Sequence, residues 1–147
     1  MRDIWFRGKR LDNKDWVYGY YFSSDEMPKR GEIGHFIKCG LNAEFIVDPS
    51  TVGQCTGLTD KNGTEIYEGD VINVLPDIDD SFSYRVIGKH VIEWWSGQFV
   101  FKANSTREDD YINFGWWVRS NGNRPQLKQV EIIGTIHDNP NLLESEG

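Results

Sequence analysis

Three features of the sequence predict a mainly β fold. Large aromatics are abundant, with 8 Phe, 6 Trp and 6 Tyr among 147 residues, and each buries much area for one position in the chain. The apolar residues fall in short β-branched or aromatic runs bounded by Gly, Asn, Asp and Pro, with few long stripes at helical spacing. The 15 glycines supply the permissive backbone that tight connections between such strands need.

The elements follow in order. Ile4-Trp5-Phe6 reads as a first strand, and Asp12-Asn13 as the turn that returns the chain into Trp16–Phe22, giving an antiparallel hairpin. Residues 23–31 are polar and contain Pro28, so a loop is expected there. Gly34–Lys38 and Glu44–Val47 form a second strand pair about Gly40-Leu41-Asn42, and Asp48-Pro49 closes this lobe. A boundary near Thr51 divides an N-terminal β lobe, residues 1–51, from a second lobe, residues 52–147.

Residues 54–74 are the most strongly specified stretch. Asn62-Gly63 offers two consecutive positions that tolerate positive φ, as a tight hairpin turn requires, with Gly57 and Gly69 on either side. Val71-Ile72-Asn73-Val74-Leu75 then reads as a buried strand. An acidic loop, residues 76–81, leads to Val86–Trp95 and Gln98–Ala103, which flank Ser96-Gly97. A two-residue loop there opposes Trp94 to Phe99 and Ile92 to Phe101, making one wholly apolar, core-facing surface. Ser105–Tyr111 is read as a short helix or an acidic turn. Trp116–Arg119 reads as another strand, and Gln129–His137 as the last, ended by Asp138-Asn139-Pro140. Strands on either side of a turn-rich crossover suggest a small antiparallel N-terminal lobe packed on an SH3-like open β-barrel, an analogy of pattern.

Charge narrows the function classes. The net charge is −7 with a pI near 4.9, which argues against general binding to a phosphate backbone. The distribution is uneven: residues 1–50 hold 8 Lys+Arg and 8 Asp+Glu, whereas residues 51–147 hold 8 and 15. A basic edge, notably Arg7, Lys9 and Arg10, remains at the start, and its plain reading is a set of solvated edge-strand charges that deter sheet stacking. Cys39 and Cys55 are too few for a disulfide framework and form no Cys-x-x-Cys pair. Reduced thiols, the lack of an apolar leader core and the lack of a membrane-length apolar run suggest a cytoplasmic protein with no membrane association.

No motif commits the chain to catalysis, and no enzyme activity or cofactor is expected. His35, His90 and His137 have no second His or Cys at metal-ligand spacing. Asp60-x-Asn62 begins like a calcium loop, but glycine arrives too early and Val71 stands where the bidentate Glu belongs, so Asp60 and Asn62 are assigned to the turn. Asp77, Asp79, Asp80, Glu108, Asp109 and Asp110 are the best divalent-cation candidates, with solvated acidic loops as the plainer reading. The adjacent pairs Trp94-Trp95 and Trp116-Trp117 are more informative. Neighbours on a strand point to opposite faces, so one Trp of each pair leaves the main core. Trp95 with Trp116 or Trp117 is therefore the candidate partner-binding set.

Phe6-Arg7-Gly8-Lys9-Arg10 with Trp16-Val17-Tyr18-Gly19, then Val47-Asp48-Pro49 through Tyr67-Glu68-Gly69-Asp70, then Glu131 to Pro140 together resemble the YopX family of phage and prophage proteins. The resemblance implies a predominantly β protein encoded by phage DNA in a bacterial host, and implies no reaction and no catalytic residues. The function expected is a non-enzymatic module that self-associates or binds a host or phage protein. The alternative is a small barrel holding single-stranded nucleic acid through the basic edge and stacking aromatics. A metal-dependent enzyme using the acidic loops comes third.

Overall fold

In a computed structural model of the chain, the residues described are 5–25, 33–41, 43–75, 86–103, 110–114, 117 and 129–143. They divide into two compact units, Met1–Cys55 and Thr56–Gly147. The protein is mainly β, with eleven strands among the described residues.

The first unit contains β1 (Phe6–Arg10), β2 (Trp16–Ser24), β3 (Gly34–Lys38) and most of β4 (Glu44–Thr59). Antiparallel pairing runs β1 to β2, β2 to β3 and β3 to β4, and β4 pairs back onto β1. The circuit of hydrogen bonds is thus closed within this unit. Each of the four strands serves two neighbours within this unit by using its two halves, or its two edges, for different partners. Among its described residues, Ile37 and Val47 are the fully buried apolar ones. Two glycines allow the strands to close: a Cβ on Gly8 would press on the Val47 side chain, and one on Gly19 would land on the Lys38 carbonyl oxygen.

β4 extends beyond the expected strand Glu44–Val47 and through Asp48-Pro49. The strand runs through Pro49 for 16 residues, because the proline sits where the register against β1 breaks between Lys9↔Asp48 and Arg7↔Gly53. A prolyl ring costs no ladder bond at such an irregularity. Polar groups fill the gap: the Asp48 carboxylate accepts from the Ser50 N–H and hydroxyl, and the Thr51 hydroxyl donates to the Asp48 carbonyl while accepting the Lys9 N–H. β1 likewise differs from the expected Ile4–Phe6 strand, starting at Phe6 and reaching Arg10.

In the second unit, β4 continues past Thr56 to pair with β5 (Glu65–Tyr67). The connection has three residues, not two. Gly63 N–H donates to the Asp60 carbonyl, Asp60 N–H donates to the Thr64 carbonyl, and only Gly63, at φ 83°, is left-handed. This is a type I turn followed by a glycine bulge, so Gly63 has the predicted backbone while Asn62 does not share it. β6 (Asp70–Val74) lies between β11 (Val130–Thr135) and β7 (Gly88–Val91) in one three-stranded sheet. β8 (Glu93–Trp95), β9 (Gln98–Lys102) and β10 (Tyr111–Asn113) form another.

The expected Val86–Trp95 strand is therefore two strands with a bend at Ile92. At the bend, Gly69 N–H donates to the Ile92 carbonyl and Ile92 N–H donates to the Asp70 carbonyl. Ile92 enters the core with Phe101, Phe114, Ile66, Ile72 and Val130. Trp117 joins them. Its backbone is helical, as is that of Phe114, and the i, i+3 spacing brings both rings to Phe101. The expected strand over Trp116–Arg119 is thus corrected at Trp117; residues 116, 118 and 119 lie outside those described. The acidic loop at 76–81 and most of 104–124 also lie outside them.

Gly19→Ala and Gly63→Val test the two backbone requirements in different ways. Gly19→Ala forces β2 and β3 apart and is expected to cost about 1–3 kcal/mol or more in urea unfolding. Gly63→Val is expected to cost about 1–2 kcal/mol from left-handed strain alone, since open space surrounds that position. Wild-type midpoints in both variants would refute these placements.

Candidate functional site

Strand alternation and register build two exposed aromatic surfaces, one in each unit. On β2, Trp16, Tyr18, Tyr20 and Phe22 share one face. Arg7 stands opposite Tyr18, Lys9 opposite Trp16, Lys38 opposite Tyr20 and Phe36 opposite Phe22. The Arg7 guanidinium lies over the Trp16 ring at 4.4 Å from its centroid, with the Lys9 ammonium at 5.4 Å. Trp5 meets Tyr20 edge-on at 5.4 Å, and Phe22 stacks on Phe36 at 5.1 Å. Tyr18 and Tyr20 remain 44% and 53% exposed.

The basic residues are not the solvated edge expected from sequence. β1 has a partner on both sides, and Arg7 is buried against aromatic carbon. Arg10 donates through Nε and a terminal nitrogen to the two Asp12 carboxylate oxygens and covers the Phe45 ring at 4.5 Å. The Arg10 hydrogen bond holds the Asp12 carboxyl below its usual range. Lys9 shares the Trp16 ring with Arg7 and is only partly buried.

The second surface is the β8–β9 hairpin with β10. Ser96 and Gly97 both have positive φ, 52° and 80°, the two-residue loop predicted, and Trp94 pairs with Phe99. The apolar face does not stay buried along its length. Ile92, Phe101 and Ile112 are in the core, whereas Phe99 is half-buried and Trp94 is exposed at the hairpin tip, its ring edge-on to Phe99 at 4.8 Å. On the opposite face Trp95, 59% exposed, stacks on Tyr111 at 6.2 Å and 14° between planes. The register sets buried Val100 between them, and Asn113 Nδ2 donates to Gln98 Oε1 beside it.

These positions sort the tryptophan candidates. Trp95 is at the surface, Trp117 is 4% exposed and belongs to the core, and Trp116 lies outside the described residues. Trp117 is thereby removed from the candidate surface. Tyr111 was missed because the alternation that would reveal β10 is only three residues long.

The remaining titratable groups serve the frame. The Tyr21 hydroxyl and His35 Nδ1 are 2.6 Å apart with stacked rings. Buried His90 sets Nδ1 at 2.7 Å from the Lys102 carbonyl oxygen and Nε2 at 2.8 Å from that of Val86. Burial pushes its pKa down, against the pull of both carbonyls upward. Asp60, 1% exposed, accepts the Asn62 and Thr64 N–H groups on Oδ1 and the Ile132 N–H on Oδ2, the turn role assigned to it from sequence. Among the described residues no three His, Cys, Asp or Glu side chains gather as metal ligands; of the acidic-loop candidates only Asp110 falls among them. Among those residues no helix is long and apolar enough to cross a membrane.

The YopX family model, described as "YopX protein", matches residues 5–144, nearly the whole chain. No curated protein matches. Among solved structures, the crystal structure of protein EF1440 from Enterococcus faecalis is similar with a TM-score of 0.54 at 22% sequence identity, covering 97% of this chain and 99% of that one. This likeness concerns the fold.

His90 generates a pH prediction. Its native pKa lies below the value of about 6.5 for the unfolded chain, so the unfolded state binds the proton first on acidification. His90 thus contributes stability that is complete above about pH 6.5 and declines below it. Wild-type urea midpoints are expected to fall between pH 7.5 and 5.5, with a shallower fall in His90→Gln. Equal slopes in the two proteins would contradict this.

Proposed function

The chain belongs to the YopX family, and on that footing we propose that it is a phage-encoded accessory protein acting by contact and not by turnover. The partner is a second copy of the chain or another protein, met through the β8–β9–β10 hairpin face. The observation that carries this reading is the stacked pair Trp95 and Tyr111, exposed on the sheet face that the core does not use. Large aromatics dominate interface energetics because each removes much area from water. Rings already held by one another, and by a strand pair, lose little side-chain freedom on docking. Trp94 extends the same hairpin on its other face.

The chemistry of the described residues supports contact over catalysis. The imidazoles of His35 and His90 are engaged by a tyrosyl hydroxyl and by backbone carbonyls, and both oxygens of the buried Asp60 carboxylate accept from backbone donors. A cytoplasmic setting in the bacterial host fits Cys39 and Cys55, which form no disulfide.

Sedimentation of the wild type and pull-down from infected cells, beside Trp95→Ala and Tyr111→Ala, test the reading. Both side chains are exposed, so each variant is expected to keep its fold by circular dichroism and to weaken association about tenfold or more, as loss of a hot-spot ring does. A monomeric wild type with no recovered partner, or folded variants that keep every interaction, would end it.

A further inference from the structure

The aromatic face of the first unit shares no residue with the hairpin face. We infer that it is a stacking platform for a short single-stranded nucleic acid, whose bases lie on Tyr18 and Tyr20 while Lys9 and Lys38 meet phosphates. Residues i and i+2 on a strand stand about 6.5–7 Å apart, so successive rings on β2 each have room for one base. Stacking of this kind asks for exposed π-faces with cations beside them and tolerates any base. Tyr18 and Tyr20 supply exposed rings, that of Tyr20 steadied edge-on by Trp5. Lys9 flanks the row at Trp16, whose ring it shares with the buried Arg7 guanidinium. Lys38 flanks the row at Tyr20.

The opposing charges are part of the design of the face. Lys38 Nζ is 4.0 Å from Glu44 Oε1, both side chains being substantially exposed, and Asp48 stands opposite Lys9 on β4. An exposed pair at that distance is weak, so a phosphate competes for Lys38 at small cost. Electrostatics nonetheless contribute little. Two lysines give an expected salt slope of only about −1.4 in log K against log[salt], and stacking supplies most of the affinity. The whole-chain charge of −7 opposes binding to duplex backbone, but residues 1–50 carry equal numbers of acids and bases. A duplex also hides the base faces on which this platform depends, which favours single strands.

The test is fluorescence anisotropy of a labelled oligothymidylate with the full-length chain at low salt, beside the same probe annealed to its complement. The single strand is expected to bind more tightly than the duplex. Tyr18→Ala and Tyr20→Ala should each weaken it by about fivefold or more, Tyr20→Phe should retain it because the ring remains, and Trp95→Ala should leave it unchanged. Thermal melting confirms that each variant is folded. No single-strand binding by the wild type, or undiminished binding by folded Tyr18→Ala and Tyr20→Ala, would overturn the inference. So would a protein partner lost on Tyr20→Ala where the oligonucleotide does not bind, since the face then belongs to that protein. The Trp95→Ala arm separates this outcome from failure of the hairpin reading.

Discussion

The second unit depends on one buried carboxylate. Asp60 faces three backbone N–H groups, two within its own loop and one on β11, 72 residues away in the chain. A carboxylate hidden from water is costly unless its oxygens are hydrogen-bonded, and here both are. Around this point Lys61 N–H donates to the Val130 carbonyl, and Lys61 Nζ lies 3.6 Å from Glu131. The loop is therefore stitched to the last strand. β11 pairs with β6, and β6 begins at Asp70, whose carboxylate caps the Tyr67 N–H and whose carbonyl receives the Ile92 N–H. Ile92 is the bend from which the Trp94-Trp95 hairpin departs. The placement of the aromatic surface thus traces back, strand by strand, to the loop that carries Asp60.

How much of this is legible in the sequence depends on how local each determinant is. Ser96-Gly97 and Gly63 announce their turns because left-handed backbone restricts residue choice within a few positions. The pairing of Trp94 with Phe99 follows directly. Pro49 misleads, because a proline reads as a strand end unless the partner strand is known to lose register beside it. The bend at Ile92 is equally hidden, since Val86 to Trp95 alternates as one strand and only the donors and acceptors of Gly69 and Asp70 divide it. Trp117 shows the same limit. A pair of tryptophans next to a short apolar run resembles a strand, whereas core packing with Phe101 and Phe114 selects helical spacing.

The candidate surfaces were partly readable for the same reason. That one tryptophan of the Trp94-Trp95 pair must leave the core follows from strand period alone, yet both are exposed, because the hairpin outruns the core it springs from. The basic residues near the start are visible as charges, but not their role. Arg7 and Arg10 are absorbed by aromatic rings and by Asp12, and what remains open is a row of tyrosines that composition alone does not single out. The two exposed aromatic surfaces thus differ in charge setting: the acidic second unit presents aromatic carbon, and the charge-balanced first unit presents tyrosines with lysines beside them.

The most direct test of this account is amide hydrogen exchange on Asp60→Asn beside the wild type. The carboxamide cannot accept on both sides, so at least one buried N–H loses its acceptor, at a cost of about 1–3 kcal/mol or more. Protection is expected to fall together at Asn62, Thr64 and Ile132, with the loss spreading along β11 and β6 to Ile92. Unchanged protection at Ile132, or loss confined to the loop, would contradict the claim that this carboxylate holds the frame.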